Sequence, residues 1–330
     1  MTDTAHFRGE KINGQFEGAK IISIEQFDKK DIELLFLEAM AMRKLVEVNG
    51  GNNLLNGKIL ANLFYEPSTR TSSSFEAAMK RLGGDVIQIN NVNYSSVAKG
   101  ESVTDTVRTL EQYSDLTVIR HNQEGSVALA ASVANNPIIN AGDGVGEHPT
   151  QALLDLFTIQ QTVGRLQGLT VVMVGDLLNG RTVHSLAKLL ALYKVNLKFV
   201  SPKELKMPPE YTNYLVKNGC SHAEFSSIES ALPGADVLYM TRVQKERFSS
   251  LDEYERLKHA YILDTKMLKN APKALSIMHP LPRVGEIKEE VDKDPRAKYF
   301  EQMKYGMYVR MALLALVLNK SMLNGWSKTA

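Results

Sequence analysis

Between residues 59 and 84 two periods meet. Ile59 to Tyr65 is mostly apolar with no breaker, and from Phe75 the apolar residues fall at helical spacing, with Ala78, Met79 and Leu82 at i+3, i+4 and i+7 before Gly83-Gly84 ends the pattern. An apolar strand feeding straight into a helix is how a parallel sheet reads, because its strands are covered on both faces. The pattern predicts an α/β fold. Where the period changes stand Glu66-Pro67-Ser68-Thr69-Arg70-Thr71, which puts Ser68, Thr69, Arg70 and Thr71 at a helix N-terminus. There the first backbone N–H groups lack intrahelical partners and the helix dipole is positive, so an anion is favoured. Two readings fit: an over-supplied N-cap beside an exposed Arg, or a cradle for a phosphate, whose oxygens can use all the hydroxyls and the guanidinium together. The flanking Glu-Pro and the strand before it favour the second.

The alternation extends on both sides. Lys29 to Val48 carries Ile32, Leu35, Phe36, Ala39 and Met42 on one helical face, ended by Asn49-Gly50-Gly51-Asn52. Val86 to Ile89 reads as a strand, completing a strand–helix–strand unit with a right-handed crossover. Asn90 to Gly100 has no period and is rich in Asn and Ser, which fits either a solvated loop or a functional one. Ser102 with Asp105 resembles a capping box ahead of Val103, Val107 and Leu110. Leu116 to Ile119 is a strand ending in Arg120-His121, and Pro137 to Asn140 is another, before a glycine-rich loop from Gly142 to Gly146. Residues just past strand C-termini face the ligand crevice of a parallel sheet, so Arg120 shares an edge with Arg70. Pro149 suits a first helical position, which sets His148 and Gln151 at a second helix start. A single His in such a place is either structural or catalytic.

A helix over 150–163 leads to a second series of strands at Leu169 to Val174, Asn196 to Val200, Ala223 to Phe225, Asp236 to Met240 and Ala274 to Met278. After the first of them, Gly175 to Thr182 spells G-x-x-x-x-G-R-T, one residue from a nucleotide-binding P-loop. An ATPase built on this loop is a rival reading, and the missing Lys, which contacts the terminal phosphates, argues against it. Arg181 is then a crevice-facing cation at a strand-to-helix turn. Arg242 and Gln244 follow Met240 in a cation-rich segment of the kind that ordinarily forms a solvated loop. His279-Pro280-Leu281-Pro282 follows Met278, and its two prolines set a stiff turn with carbonyls open to a ligand. Tyr305 to Leu323 is helical in pattern and is expected to pack back on the first domain. There is no internal repeat, low-complexity tract or Pro/Ser-rich linker.

Composition closes off other classes. At 330 residues there is room for two domains, and 44% hydrophobic with 23% charged residues describes a soluble globular protein. A net charge of +2 is no footprint for nucleic acid. Cys220 is the only cysteine, so the chain holds no internal disulfide and no cysteine cluster for a structural zinc, and a reducing compartment fits best. Met1 to Glu17 is polar and lacks a secretory h-region, while the apolar run Met307 to Leu318 contains Arg310 and is too short for a bilayer. The expectation is a cytoplasmic protein with no membrane partner.

Several blocks, in order and from roughly residue 20 onward, resemble one family. F-x-E-P-S-T-R-T-x-x-S-F at 64–75 is similar to the carbamoyl-phosphate signature of the aspartate and ornithine carbamoyltransferases, and H-P-T-Q at 148–151 after N-A-G-D-G is similar to their second signature. S-S-V-A-K-G-E at 95–101 matches a loop that, in the family, reaches into a neighbouring subunit's site. T-R-V-Q-K-E-R at 241–247 resembles the aspartate-binding loop. H-P-L-P at 279–282, with R-V-Q and without the S-M-G loop of the ornithine enzymes, points to aspartate as acceptor.

The resemblance implies two domains, each a mainly parallel sheet flanked by helices, with the active site in the crevice between them. Residues 1–149 would bind carbamoyl phosphate, with a C-terminal helix at about 304–330 packed back on them, and residues 150–303 would bind aspartate. It implies transfer of the carbamoyl group to the α-amine of L-aspartate, an early committed step of pyrimidine biosynthesis. Ser68, Thr69, Arg70 and Thr71 would hold the phosphate, Arg120 would bridge phosphate and carbonyl, and His148 with Thr71 would donate to the carbonyl oxygen. Gln151 and the carbonyls of Leu281 and Pro282 would accept from the carbamoyl NH₂. Lys99 would touch both substrates, and Ser95 and Lys99 would complete a neighbour's site in a homotrimer. Arg181, Arg242 and Gln244, with Lys99 and Leu281, would hold aspartate, and two cations suit two carboxylates. No metal or organic cofactor is implied. Ornithine or another amine as acceptor, or a non-catalytic paralogue, are the alternatives. A regulatory chain or other pathway enzymes are compatible partners. Leu178-Asn179 stands where relatives often carry Lys and then Tyr or His, a departure that bears on domain closure and regulation.

Overall fold

A computed structural model describes residues 9–90, 100–244, 248, 250–257 and 260–323. The chain forms two compact units, Met1–Leu153 with Lys304–Ala330, and Leu154–Met303.

The first unit opens with α1 (Lys29–Asn49), started by a capping box between Asp28 and Asp31 and ended by Gly50 in the left-handed conformation. There follow β1 (Ile59–Phe64), α2 (Thr69–Arg81), β2 (Asp85–Ile89), α3 (Val103–Leu110), β3 (Leu116–His121), α4 (Ser126–Val133), β4 (Ile138–Asp143) and the first residues of α5 (Pro149–Val163). All strands are parallel, in the order β2-β1-β3-β4. The apolar face of α2 is fully buried, with Phe75, Ala78, Met79 and Leu82 all at 0% exposure. Each large side chain among them contributes about 1.5–3 kcal/mol. Ala61, Leu63, Ile119 and Ile138 of the sheet meet Val107, Leu110, Val127 and Ala131 of α3 and α4. Ser102 caps α3 by accepting from the Asp105 N–H at 3.1 Å.

The chain leaves β1 for β2 on one side and returns to β3 on the other. The direction therefore switches between β1 and β3, and ligands of such sheets bind at the C-terminal strand ends there. Two strands run further than the sequence suggests. β3 continues through Arg120 and His121 and β4 through Asp143, because the Tyr65 N–H still donates to the Arg120 carbonyl at 2.8 Å and His121 pairs with Asp143.

The second unit contains β5 (Thr170–Val174), α6 (Arg181–Ala191), β6 (Asn196–Val200), α7 (Pro209–Lys217), β7 (Ser221–Phe225), α8 (Ile228–Ala231), β8 (Val237–Met240), α9 (Leu251–Leu257), α10 (Thr265–Leu268) and β9 (Ser276–Met278). Its parallel sheet has the order β7-β6-β5-β8-β9, so the same reasoning puts its switch between β5 and β8. Val172, Val174, Leu238, Met240 and Ile277 form its core with Ile228, Leu263 and Ile287.

The last helix, α11, spans Tyr299–Val317 and not Tyr305 to Leu323. It starts early because its first turn buries Tyr299 and Gln302, a polar residue that breaks the apolar period. It stops where Asn319 turns left-handed, with φ 55°, and Lys320 N–H returns to the Ala315 carbonyl at 2.7 Å. In the first unit, the charge inside its apolar run is accounted for: Arg310 is 4% exposed, donates to Ser74 Oγ at 2.8 Å and lies 5.1 Å from the Phe75 ring centroid, fastening α11 to α2. Among the described residues no helix is long and apolar enough to cross a membrane.

Candidate active site

In the first unit, β1 delivers Glu66 and Pro67 to the start of α2. Ser68 is the N-cap, yet its side chain makes no capping bond. The first bond of the helix runs from Ser72 N–H to the Ser68 carbonyl at 3.1 Å, so the amides of Thr69, Arg70 and Thr71 are not consumed within it. A cap residue that does not cap argues against the purely structural reading. Thr71 is buried, while Thr69 and Arg70 are exposed. Across the switch point, the half-buried Arg120 pairs through Nη2 with the Glu66 carboxylate, and its Nη1 lies 3.4 Å from the Ala141 carbonyl. Glu66 therefore orients Arg120, a role that no local spacing reveals, since only the order of the sheet sets β1 beside β3. The neighbouring His121 ring lies 4.5 Å from that of Tyr65, and burial holds its pKa below the ordinary value.

After β4 the chain is fixed through Glu147, whose carboxylate accepts from Ser23 Oγ at 2.9 Å and from the Ile24 N–H at 2.8 Å. His148 follows, 3% exposed, its carbonyl accepting from the Gln151 and Ala152 N–H groups at 3.0 and 3.2 Å as α5 begins. Gln151 is also buried. Ser68 to Thr71, Arg120, His148 and Gln151 thus share the C-terminal edge of one sheet. Ser95 and Lys99 lie outside the described residues.

In the second unit, β5 and β8 part at Gly175. Its φ is +116°, and a Cβ there would stand 2.3 Å from the Thr241 carbonyl oxygen. Gly175→Ala is expected to destabilise the protein by about 3 kcal/mol or more, combining left-handed strain with a backbone clash. A denaturation midpoint shifted by less than the equivalent of about 1 kcal/mol would show that the two strand ends separate easily.

Beyond Gly175 the loop curls onto Asp176, which is 0% exposed and whose pKa is raised by burial, in spite of hydrogen bonds from the Asn179 side chain and from the amides of Asn179, Gln244 and Leu178. Asn179 donates to this carboxylate through its amide at 2.9 Å and through Nδ2 at 3.2 and 3.1 Å, and its carbonyl accepts from Gln244 Nε2 at 3.0 Å. The side chain that departs from the family's pattern thus braces Asp176, while the backbone carbonyl of the same residue joins the two loops. A P-loop turns its amides onto phosphate, whereas here a buried carboxylate takes them, which disfavours the ATPase reading. Arg181 opens α6, where Gly180 provides no side-chain cap, and the half-buried Arg242 stands two residues past β8. One turn into α6, His184 Nε2 meets the Leu177 carbonyl at 2.8 Å and its ring stacks on Tyr211 at 4.1 Å. Burial lowers its pKa to about 4, so it braces the loop as a neutral ring.

β9 ends in the turn His279 to Arg283, with a cis Leu281–Pro282 bond and Leu281 at φ 55°. Arg283 pairs with both oxygens of Asp292 and lies 5.5 and 5.8 Å from the ring centroids of Tyr299 and Phe300. Among the described residues no group of three or more His, Cys, Asp or Glu could hold a metal ion.

Two α/β units with arginines and helix starts at the C-terminal ends of their sheets define a protein built for small anionic substrates. Residues 19–161 match the family model "Aspartate/ornithine carbamoyltransferase, carbamoyl-P binding domain" and residues 167–317 the "Asp/Orn binding domain". The chain belongs to the aspartate/ornithine carbamoyltransferase family. It is 51% identical over 303 residues to the aspartate carbamoyltransferase catalytic subunit of Thermococcus gammatolerans, covering 92% of this chain and 98% of that one. It is 57% identical over 300 residues, 91% of its length, to the multifunctional protein pyr1-3 of Dictyostelium discoideum, of which it spans 13%. The crystal structure of aspartate transcarbamoylase from Trypanosoma cruzi in complex with carbamoyl phosphate matches with a TM-score of 0.87 and 44% identity, over 92% of this chain and 97% of that one.

Proposed function

We propose that the chain transfers the carbamoyl group of carbamoyl phosphate to the α-amine of L-aspartate, an early step of pyrimidine biosynthesis. The observation that carries this reading is the matched pair of switch points. Arg120, oriented by Glu66, stands beside the helix start of Ser68 to Thr71 in one unit, and Arg181 with Arg242 flank the other. The names of the Thermococcus relative and of the Trypanosoma complex support it. Ornithine would need an acid for its terminal ammonium. In the loop that carries Arg181 the buried carboxylate is that of Asp176, and its oxygens are already taken by loop amides.

Ser68, Thr69, Arg70 and Thr71 hold the phosphate, and Arg120 bridges it to the carbonyl oxygen. The α-amine nitrogen attacks the carbonyl carbon, and His148 with Thr71 donates to the oxygen as it gains negative charge. Gln151 and the carbonyls of Leu281 and Pro282 accept from the carbamoyl NH₂. Arg181, Arg242 and Gln244 hold the two carboxylates of aspartate, with Lys99 and Leu281 completing the set. The C–O bond to phosphate then breaks, the phosphate leaves with the electron pair and takes the amine's proton. No covalent intermediate on the protein is required, and no cofactor enters the scheme. The decisive experiment is formation of N-carbamoyl-L-aspartate by the purified chain, with ornithine in parallel; carbamoylation of ornithine alone, or of neither, overturns the reading.

The working form is a cytoplasmic homotrimer in which Ser95 and Lys99 complete a neighbour's site. Relatives described as a catalytic subunit and as multifunctional proteins support further chains or domains as partners. Complementation tests the shared site. Lys99→Ala chains and His148→Ala chains, each expected to be severely impaired, are dissociated, mixed equally and reassembled. Around a threefold ring a site with both residues intact arises at about one interface in four, so roughly a quarter of wild-type activity returns. If hybrid trimers form and none returns, each subunit holds its own complete site.

A further inference from the structure

The turn that carries Leu281 and Pro282 rests on buried polar side chains for which the proposed reaction has no chemical use. His279 is 1% exposed and Glu286 6%. His279 Nδ1 accepts from the Leu281 N–H at 2.7 Å, so that nitrogen carries no proton and Nε2 carries it, donating to Glu286 Oε1 at 2.7 Å. The other oxygen of Glu286 accepts from the Val284 N–H at 2.8 Å. Pro280 and Pro282 have no N–H, so the backbone donors of this turn are Leu281, Arg283 and Val284. The His279–Glu286 pair holds two of them, one on each side of the Leu281 and Pro282 carbonyls. The Leu281 carbonyl is followed by proline and cannot be aimed through the N–H of its own peptide unit, while the Pro282 carbonyl shares its unit with the Arg283 N–H, which lies between the two held donors.

The pair is itself anchored. The His279 N–H donates to Gln302 Oε1 at 3.0 Å, Gln302 Nε2 donates to Asp155 Oδ1 at 2.6 Å, and the Tyr239 hydroxyl donates to Asp155 Oδ2 at 2.6 Å. Tyr239, Asp155 and Gln302 are all 0% exposed. Burying this many polar groups costs desolvation that an apolar core avoids, and what the arrangement gives in return is a fixed direction. Burial alone pushes the Glu286 carboxyl up, but the hydrogen bonds from His279 and from the Val284 amide hold it below the ordinary range, so it stays an acceptor for both.

We propose that His279, oriented by Glu286, is a positioning residue that aims the Leu281 and Pro282 carbonyls and thereby sets the preference for a donor bearing NH₂ over a plain acyl phosphate. The inference rests on the functional reading above. Acetyl phosphate is the probe, because it keeps the phosphate and the carbonyl and replaces NH₂ with a methyl group that cannot donate. The experiment measures the KM of carbamoyl phosphate and the competitive Ki of acetyl phosphate and of inorganic phosphate, for the full-length wild type and for three variants.

His279→Asn keeps an acceptor near the position of Nδ1, His279→Gln reaches Glu286 but leaves the Leu281 N–H without its acceptor, and Glu286→Gln can accept from only one of its two donors. His279→Gln and Glu286→Gln are expected to lower the preference for carbamoyl over acetyl phosphate about tenfold, the factor one misdirected hydrogen bond is worth, with the Ki of phosphate unchanged. His279→Asn retains most of the preference. A His279→Gln or Glu286→Gln protein that binds phosphate as the wild type does but keeps the full preference overturns the inference, as does equal weakening of all three ligands. If His279→Gln fails to fold, Glu286→Gln decides on the same two outcomes. A wild-type chain that forms no carbamoyl aspartate overturns the functional reading together with this one; a working wild type with an unmoved preference in the variants overturns this one alone.

Discussion

Arg70→Ala leaves a folded protein whose turnover falls about 10³-fold, the scale on which a charged ligand of a transferring group acts. Arg70 is exposed at the second position of α2, and the apolar face that seats the helix, from Phe75 to Leu82, lies further along it. Truncating an exposed side chain away from the core usually changes stability by only about 0.5 kcal/mol. The helix and its amides therefore remain, and what is lost is the guanidinium proposed to neutralise the phosphate. Circular dichroism melts and steady-state rates measured on the same preparation check both halves. An active Arg70→Ala protein removes the phosphate from this helix start.

His148→Ala shows its loss in kcat, about 10²- to 10³-fold, with a small change in KM for either substrate. Donation to an oxygen that becomes negative only as the reaction proceeds strengthens in the transition state, so it scarcely contributes to ground-state binding. The position suits that role: the side chain is 3% exposed, at the start of α5, with the residue before it pinned by Ser23 and Ile24. A defect confined to the KM for aspartate would put His148 in the acceptor's pocket.

How much of this the sequence discloses depends on whether the cause is local. The junction of β1 and α2 is legible because period, proline and hydroxyls lie within a dozen residues, and the same holds for Pro149 opening α5 and for Arg181 opening α6. Pairings that depend on sheet order are not legible. Glu66 reaches Arg120 only because β3 lies beside β1, and Gln244 reaches Asn179 only because β8 lies beside β5. Arg120 and His121 read as standing just past the strand because its apolar run ends at Ile119, yet ladder pairing with β1 and β4 keeps them in it. Gln302 hides the start of α11 for the opposite reason, being a polar residue whose burial is compensated by Asp155 and the His279 amide. Polar burial leaves no trace in apolar periodicity, and for that reason the His279–Glu286 pair emerges only from the fold.

The anchoring of α11 on α2 has a consequence for how the chain acquires the helix start at Ser68 to Thr71 during synthesis. Arg310 and Ser74 are 236 positions apart, and the whole second unit is translated between them. At about 5–20 residues per second, that unit alone takes roughly 8–30 s to emerge. Through that interval α2 has its sheet but not its other cover, and Phe75 waits for the guanidinium that will stack on it. The second unit is contiguous and can close while still tethered to the ribosome. The first is completed only afterwards, so the helix start at Ser68 to Thr71, although encoded early, gains its contact with α11 only once residue 310 is made, and a chain stalled before it lacks that seat.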